Sequence, residues 1–116
     1  MTEEATFGDE CLRTETGDSY VGHLNYTVSG TPCQEWSHKA PREHSYDDIT
    51  YFADYEKNEE AIIQDVLNYC RNPSILSFRD VHPWCFTMDT GITENNGKEY
   101  CNIPRCKSKC VISILL

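Results

Sequence analysis

Basic residues are scarce in this chain: ten lysines and arginines face nineteen aspartates and glutamates, a net charge of −9. No local Lys/Arg cluster offsets that balance, so a phosphate backbone would be repelled and the composition argues against nucleic acid as a partner. Long hydrophobic runs are also missing. A membrane-crossing helix needs about 20 apolar residues, and no segment supplies them, so insertion by this segment is not expected. Met1 to Glu10 has neither the basic start nor the apolar stretch of a signal peptide. There is no Gly-x-Ser-x-Gly elbow, no His-Glu-x-x-His helix and no phosphate-cradling glycine loop, which removes the common catalytic signatures. Internal repeats and low-complexity tracts are likewise lacking.

Against these absences stand seven cysteines in 116 residues, four of them (Cys85, Cys101, Cys106 and Cys110) in the C-terminal third. In a short chain that density indicates a disulfide framework, formed where thiols oxidise, outside the cytosol. A domain of this size buries only about two thirds of its unfolded surface. Each bridge adds roughly 2–4 kcal/mol, so three rival the whole net stability of a small domain. An extracellular framework without a leader segment is most simply reconciled as a piece of a longer secreted or membrane-anchored protein. The apolar stretch Val111 to Leu116, following Cys110, supports that expectation.

Other uses of sulfur fit less well. Cys101, Cys106 and Cys110 with a distant histidine offer four ligands, but structural zinc is usually held by Cys-x-x-Cys knuckles and none occurs here, so no metal or other cofactor is expected. A Cys/His hydrolase would pair Cys110 with His23, His38, His44 or His82, yet nothing local sets a base beside the thiol. The histidines read as surface or hydrogen-bonded structural residues, and no catalytic residue is assigned. Asp47-Asp48 shows no sign of the burial that would tune one carboxylate as an acid.

Along the chain, residues 1–10 read as an acidic disordered arm. From Cys11 to His44 turn signals recur, predicting loops and very short strands. The stretch Ser45 to Asn68 is the acidic centre, with Asp47, Asp48, Asp54, Glu56, Glu59, Glu60 and Asp65 answered only by Lys57. Such carboxylates ordinarily face water, and they also suit a basic protein ligand. Within this stretch Asn58 is expected to cap a short helix over 58–67, with Glu59 and Glu60 in its first turn and Ile62, Ile63, Val66 and Leu67 at helical spacing. Farther on, Phe86-Thr87-Met88 and Glu99 to Ile103 flank Asn95-Asn96-Gly97, whose Asn-Gly step predicts a type I′ hairpin. Cys85 and Cys101, held in those neighbouring strands, would each reach sideways to another part of the chain. Trp84 and Phe86 alternate on the first strand and would floor an open groove on one face.

Seven segments, taken together, resemble a kringle domain. They are Gly17-Asp18-Ser19-Tyr20-Val21-Gly22, Thr27-Val28-Ser29-Gly30, Cys33-Gln34-Glu35-Trp36, Pro41-Arg42-Glu43-His44, Asn68-Tyr69-Cys70-Arg71-Asn72-Pro73, Pro83-Trp84-Cys85-Phe86-Thr87 and Tyr100 to Cys106, all in the family's order. The resemblance covers residues 11–106 and leaves 107–116 as a tail. Six cysteines alone allow fifteen pairings. The resemblance selects Cys11 with Cys106, Cys33 with Cys85, and Cys70 with Cys101, leaving Cys110 unpaired. It implies a small disulfide-rich, loop-rich fold with short antiparallel hairpins.

By the same resemblance this is a non-catalytic, extracellular binding module of a mosaic protein. Some kringles bind lysine side chains in an aromatic groove with an anionic and a cationic end. Here Trp84 and Phe86 match two groove aromatics, but Lys98 stands in the third position. Ser74 and Leu76 replace the expected aspartates, and Tyr46 and Gly97 occupy the cationic positions. Lysine binding is therefore expected to be weak or absent. Three loops, His44 to Cys70, Cys70 to Cys85 and Cys85 to Cys101, are longer than the family's. The family's leucine before Asn-Tyr-Cys is displaced, with Ile62, Ile63 or Val66 expected to take its contact. Asn25-Tyr26-Thr27 is an N-glycosylation acceptor sequence. The reading is a protein-binding kringle of a receptor ectodomain or growth-factor-like chain. The alternatives are a kringle of a secreted serine protease whose catalytic domain lies elsewhere, and a structural spacer.

Overall fold

Trp36 sits at the centre of the core, 1% exposed, and meets Phe52, Trp84, Phe86 and Tyr46 edge-on at centroid distances of 5.1, 5.1, 6.0 and 6.2 Å. Edge-to-face contacts of this kind set the positive ring edge against a neighbour's negative face. The Trp36 indole N–H donates to Tyr69 O at 2.7 Å, so its one polar atom is satisfied inside the cluster. The computed structural model describes residues 9–107. Cys110 and the tail from residue 108 onward lie outside the described residues. So does the expected arm, apart from Asp9 and Glu10, which contact Lys57 at 3.4 Å and His23 at 2.5 Å.

Three disulfides staple this core: Cys11–Cys106, Cys33–Cys85 and Cys70–Cys101. The inner two lie against each other, with Cys33 Sγ 3.8 Å from Cys70 Sγ and all four sulfur-bearing residues at most 3% exposed. Their four sulfurs converge within 4.8 Å, a grouping that resembles a metal cage, but each is spent on an S–S bond and offers no thiolate. The outer bridge joins the chain's two flanks beside a parallel Leu12–Arg105 contact.

Regular structure is sparse. A short helix, α1 (Ala53–Lys57), and four strands, β1 (Ser74–Ile75), β2 (Phe78–Arg79), β3 (Trp84–Phe86) and β4 (Lys98–Tyr100), form two antiparallel hairpins, β1–β2 and β3–β4. The α-helix lies before Asn58, which ends it, the Asn58 N–H closing on Asp54 O, and within the expected span 58–67 the chain makes a single 3-10 turn, Ile63–Val66, that buries Val66. The Asn58 side chain does accept the Glu60 N–H at 3.0 Å, yet the chain then turns, with Ala61 N–H on Asn58 O. Tertiary packing explains the shift. Phe52, at the helix entry and 2% exposed, packs on Trp36, whereas Glu59 and Glu60 have nothing apolar to bury. Of the three apolar candidates, Val66 is fully buried, Ile63 packs partly on the core and Ile62 is exposed.

The β3–β4 hairpin is wider than the expected tight turn. Strand pairing stops at Phe86↔Lys98, and residues 87–97 bridge the ends. The left-handed region is occupied by Asn95 (φ 53°) and Asn96 (φ 55°), and the Lys98 N–H closes on Asn95 O, so the Asn96-Gly97 step does turn the chain as expected, but at the entry to β4 within a longer connection. Asparagine tolerates that region better than most residues, and Gly97 follows with φ 78°.

Candidate ligand groove

Because side chains alternate along a strand, the pairing of Trp84 with Tyr100 and Phe86 with Lys98 brings all four onto one face of the β3–β4 hairpin. The opposite face carries Cys85, held by its bridge to Cys33. The face does not form the open aromatic floor expected, since Trp84 is 1% and Phe86 6% exposed. Tyr46 stands edge-on to Trp84 at 5.0 Å, and the His44 ring stacks on Phe86 at 4.9 Å with an interplanar angle of 19°. Trp36 packs edge-on against both rings from the core, and Lys98 adds to the cover. Its Nζ sits 4.2 Å from the centre of the Trp84 ring and 5.8 Å from that of Phe78, and pairs with Asp80 Oδ2 at 2.6 Å. An ammonium over an indole face is attracted by the ring quadrupole, more strongly as water is excluded.

Asp80 is brought to Lys98 by the fold of a separate hairpin. The β1–β2 hairpin turns through Leu76 and Ser77, both with positive φ, and returns the chain towards β4. Asn72 Nδ2 then donates to Asp80 O at 2.9 Å and fixes the segment. The Asp80 carboxylate accepts the Tyr100 hydroxyl at 2.5 Å and its neighbour's Val81 N–H at 2.7 Å, besides pairing with Lys98. Burial pushes its pKa up, but the bonds from Lys98, Tyr100 and Val81 outweigh that and hold it below the usual carboxylate range. The same contact, together with lesser burial and charge effects, raises the Tyr100 hydroxyl, and burial raises that of Tyr46.

Sequence reasoning named Trp84, Phe86, Tyr46 and Lys98 for this site, and the structure brings them together with Asp80, Phe78, His44 and Tyr100, which it did not name. Ser74 lies in β1 and Leu76 at the tip of its hairpin, 95% exposed. Gly97 lies against the Arg42 guanidinium. Leu76 at the tip is a large apolar residue in a left-handed turn position, so no periodicity marked the segment as a hairpin.

His44 gives the groove wall a pH dependence. Its Nδ1 accepts the Tyr46 N–H at 2.9 Å and its Nε2 donates to His38 O at 2.8 Å, an arrangement only the neutral ring can make. Burial depresses its pKa first, with Lys39 adding to that and Asp47 and the His38 carbonyl opposing it. The folded state therefore binds its proton less readily than the unfolded chain. Stability from this group is present above the ordinary histidine value, near 6.5, and is lost as the pH falls below it. Urea midpoints should drop between pH 7.5 and 5.5 in the wild type, and the drop should shrink in His44→Gln. An unchanged slope in that variant would assign the effect elsewhere.

Three bridges and two small hairpins around an aromatic core fit a kringle, and residues 11–106 match the kringle domain family. The chain belongs to that family. It is 36% identical over 105 residues to apolipoprotein(a)-like protein 2 of Homo sapiens, an alignment that covers 90% of this chain and 66% of that protein. A kringle is a disulfide-rich extracellular module without catalytic machinery of its own. Among the described residues no helix is long and apolar enough to cross a membrane.

Proposed function

We propose that this kringle is a protein-binding module of a larger mosaic protein, a receptor ectodomain or growth-factor-like chain, and that it takes up no free lysine. One observation carries the second part: the Lys98 ammonium occupies the face of Trp84 and the Asp80 carboxylate, the two groups that an incoming ammonium would use. A cation entering there would meet a like charge. The net charge of −9 and the exposed acidic groups Glu56, Glu59 and Glu60 favour a basic surface on the partner. Asn25 is exposed, so a glycan there would project into solvent, while Thr27 of the same acceptor sequence is buried with its hydroxyl bonded to Thr31. Attachment would accordingly precede folding.

Titrating the wild-type protein with 6-aminohexanoic acid while following tryptophan fluorescence tests this reading. No saturable change is expected up to about 10 mM, equivalent to binding weaker than roughly −2.7 kcal/mol. Saturation with a midpoint near or below 100 μM, about −5.5 kcal/mol, would overturn it.

A further inference from the structure

We propose that Lys98 is an internal ligand: Trp84, Asp80, Tyr100 and Phe78 form an intact site for a primary ammonium, which the chain keeps closed with its own side chain. The inference rests on the reading that free lysine is not taken up, and it concerns why.

A degraded site would leave its remaining groups scattered or turned to other uses. Here they are arranged for a cation. Asp80 does not depend on Lys98 for its position, because the Tyr100 hydroxyl and the Val81 N–H both donate to its Oδ1. Oδ2 is left directed at Nζ, 2.6 Å away. The face of Trp84 and the ring of Phe78 supply the apolar sides, at 4.2 and 5.8 Å from the same nitrogen. The side chains of Lys98 and Asp80 are only 20% and 16% exposed, so the pair is shielded from the water that dissolves ordinary surface ion pairs. The other lysines in described ion pairs, Lys39 and Lys57, have side chains 47% and 54% exposed.

A tethered group competes at an effective concentration in the millimolar range or above, which suffices to exclude a weak free amine. Removing the tethered ammonium removes the competitor and leaves the acceptors in place. The unmasked site takes an alkyl ammonium and has little use for a carboxylate at the far end of the ligand. The positions that would answer that carboxylate are Tyr46 and Gly97, which carry no positive charge. The ligand class is thus a lysine side chain within a polypeptide, or a simple primary alkylamine, with no preference for a zwitterionic amino acid.

The test uses n-butylamine and 6-aminohexanoic acid at matched pH and ionic strength, read by tryptophan fluorescence and by the Trp84 indole N–H resonance. Lys98→Ala should bind n-butylamine saturably, with a midpoint at least tenfold lower than any wild-type response and within about twofold of that for 6-aminohexanoic acid. Adding Asp80→Asn should abolish the gain. A folded Lys98→Ala protein that shows no saturation overturns the internal-ligand proposal and leaves the proposed function standing. Tight binding by the wild type overturns both. If the alanine variant does not fold, reductive ¹³C-methylation of the wild type decides: Lys98 methyl signals should be shifted upfield by the Trp84 ring relative to Lys39 and Lys57. Coincident signals overturn the proposal.

Discussion

Alanine in place of Gly97 is expected to destabilise the domain by about 3–5 kcal/mol, a large share of the 5–15 kcal/mol typical of a folded domain. Gly97 has φ 78°, where an L-residue costs about 1–2 kcal/mol. The larger part comes from Arg42. A Cβ on residue 97 would lie 2.3 Å from the Arg42 guanidinium carbon and 2.4 Å from Nε, inside van der Waals contact. The guanidinium has nowhere to retreat. Arg42 is 7% exposed, and its Nε donates to Thr87 O at 3.1 Å while Nη2 donates to Asp89 O at 2.7 Å and Ile92 O at 2.5 Å. Those carbonyls belong to the bridge between β3 and β4, so displacing the charge strips it of acceptors and loosens the loop together. Gln34 grips the Arg42 backbone from behind, accepting its N–H at 2.8 Å and donating to its carbonyl at 2.9 Å. Equilibrium urea unfolding of Gly97→Ala checks the magnitude, and Arg42→Ala in the same background should recover part of the loss, because it removes the clash. A single variant within 1 kcal/mol of wild type would show that the guanidinium yields freely.

Arg71→Met is expected to cost about 3–4 kcal/mol and to release the acidic insertion, through a different mechanism. The Arg71 side chain is 3% exposed and grips Asp54 with two parallel bonds, Nε to Oδ1 at 2.9 Å and Nη2 to Oδ2 at 3.0 Å. Its Nη1 donates to Gly22 O at 2.7 Å and Cys70 O at 2.8 Å, and its carbon lies 5.6 and 5.5 Å from the ring centres of Tyr20 and Tyr69. Asp54 belongs to α1, so this fork ties the inserted segment to the cysteine framework. Methionine fills the volume but leaves the Asp54 carboxylate and two carbonyls without a donor. Lysine should rescue poorly, since a point charge cannot reproduce the planar fork. Limited proteolysis should cut within 45–68 in Arg71→Met before the rest of the domain unfolds. Resistance equal to wild type, with an unchanged urea midpoint, would count against the tether.

Arg42 and Arg71 also show where sequence reading stops. Both lie in segments that carried the resemblance, Pro41-Arg42-Glu43-His44 and Asn68 to Pro73, so their presence was visible while their work was not. The Asp54 partner of Arg71 lies in an insertion that composition marks as a solvated acidic stretch, and one carboxylate among seven gives no local sign that it is buried. Asn58 misleads for a related reason. Its capping chemistry is real, and Glu60 N–H uses it, but the helix forms where Phe52 can reach Trp36. Short elements have weak intrinsic preferences, and burial of one large ring outweighs them.

From the chain of residues alone follow the cysteine-rich extracellular class, the kringle family and the loop-rich fold with short hairpins. These depend on local motifs and on the count and order of cysteines, which tertiary contacts do not alter. Only the folded structure decided that Lys98 turns inward over Trp84 to meet Asp80, and that Val66 fills the core beneath the acidic insertion. The reason is physical. Asp80 reaches β4 because the β1–β2 hairpin reverses the chain, and that reversal rests on contacts between residues far apart in sequence, whose pairing no periodicity or propensity encodes.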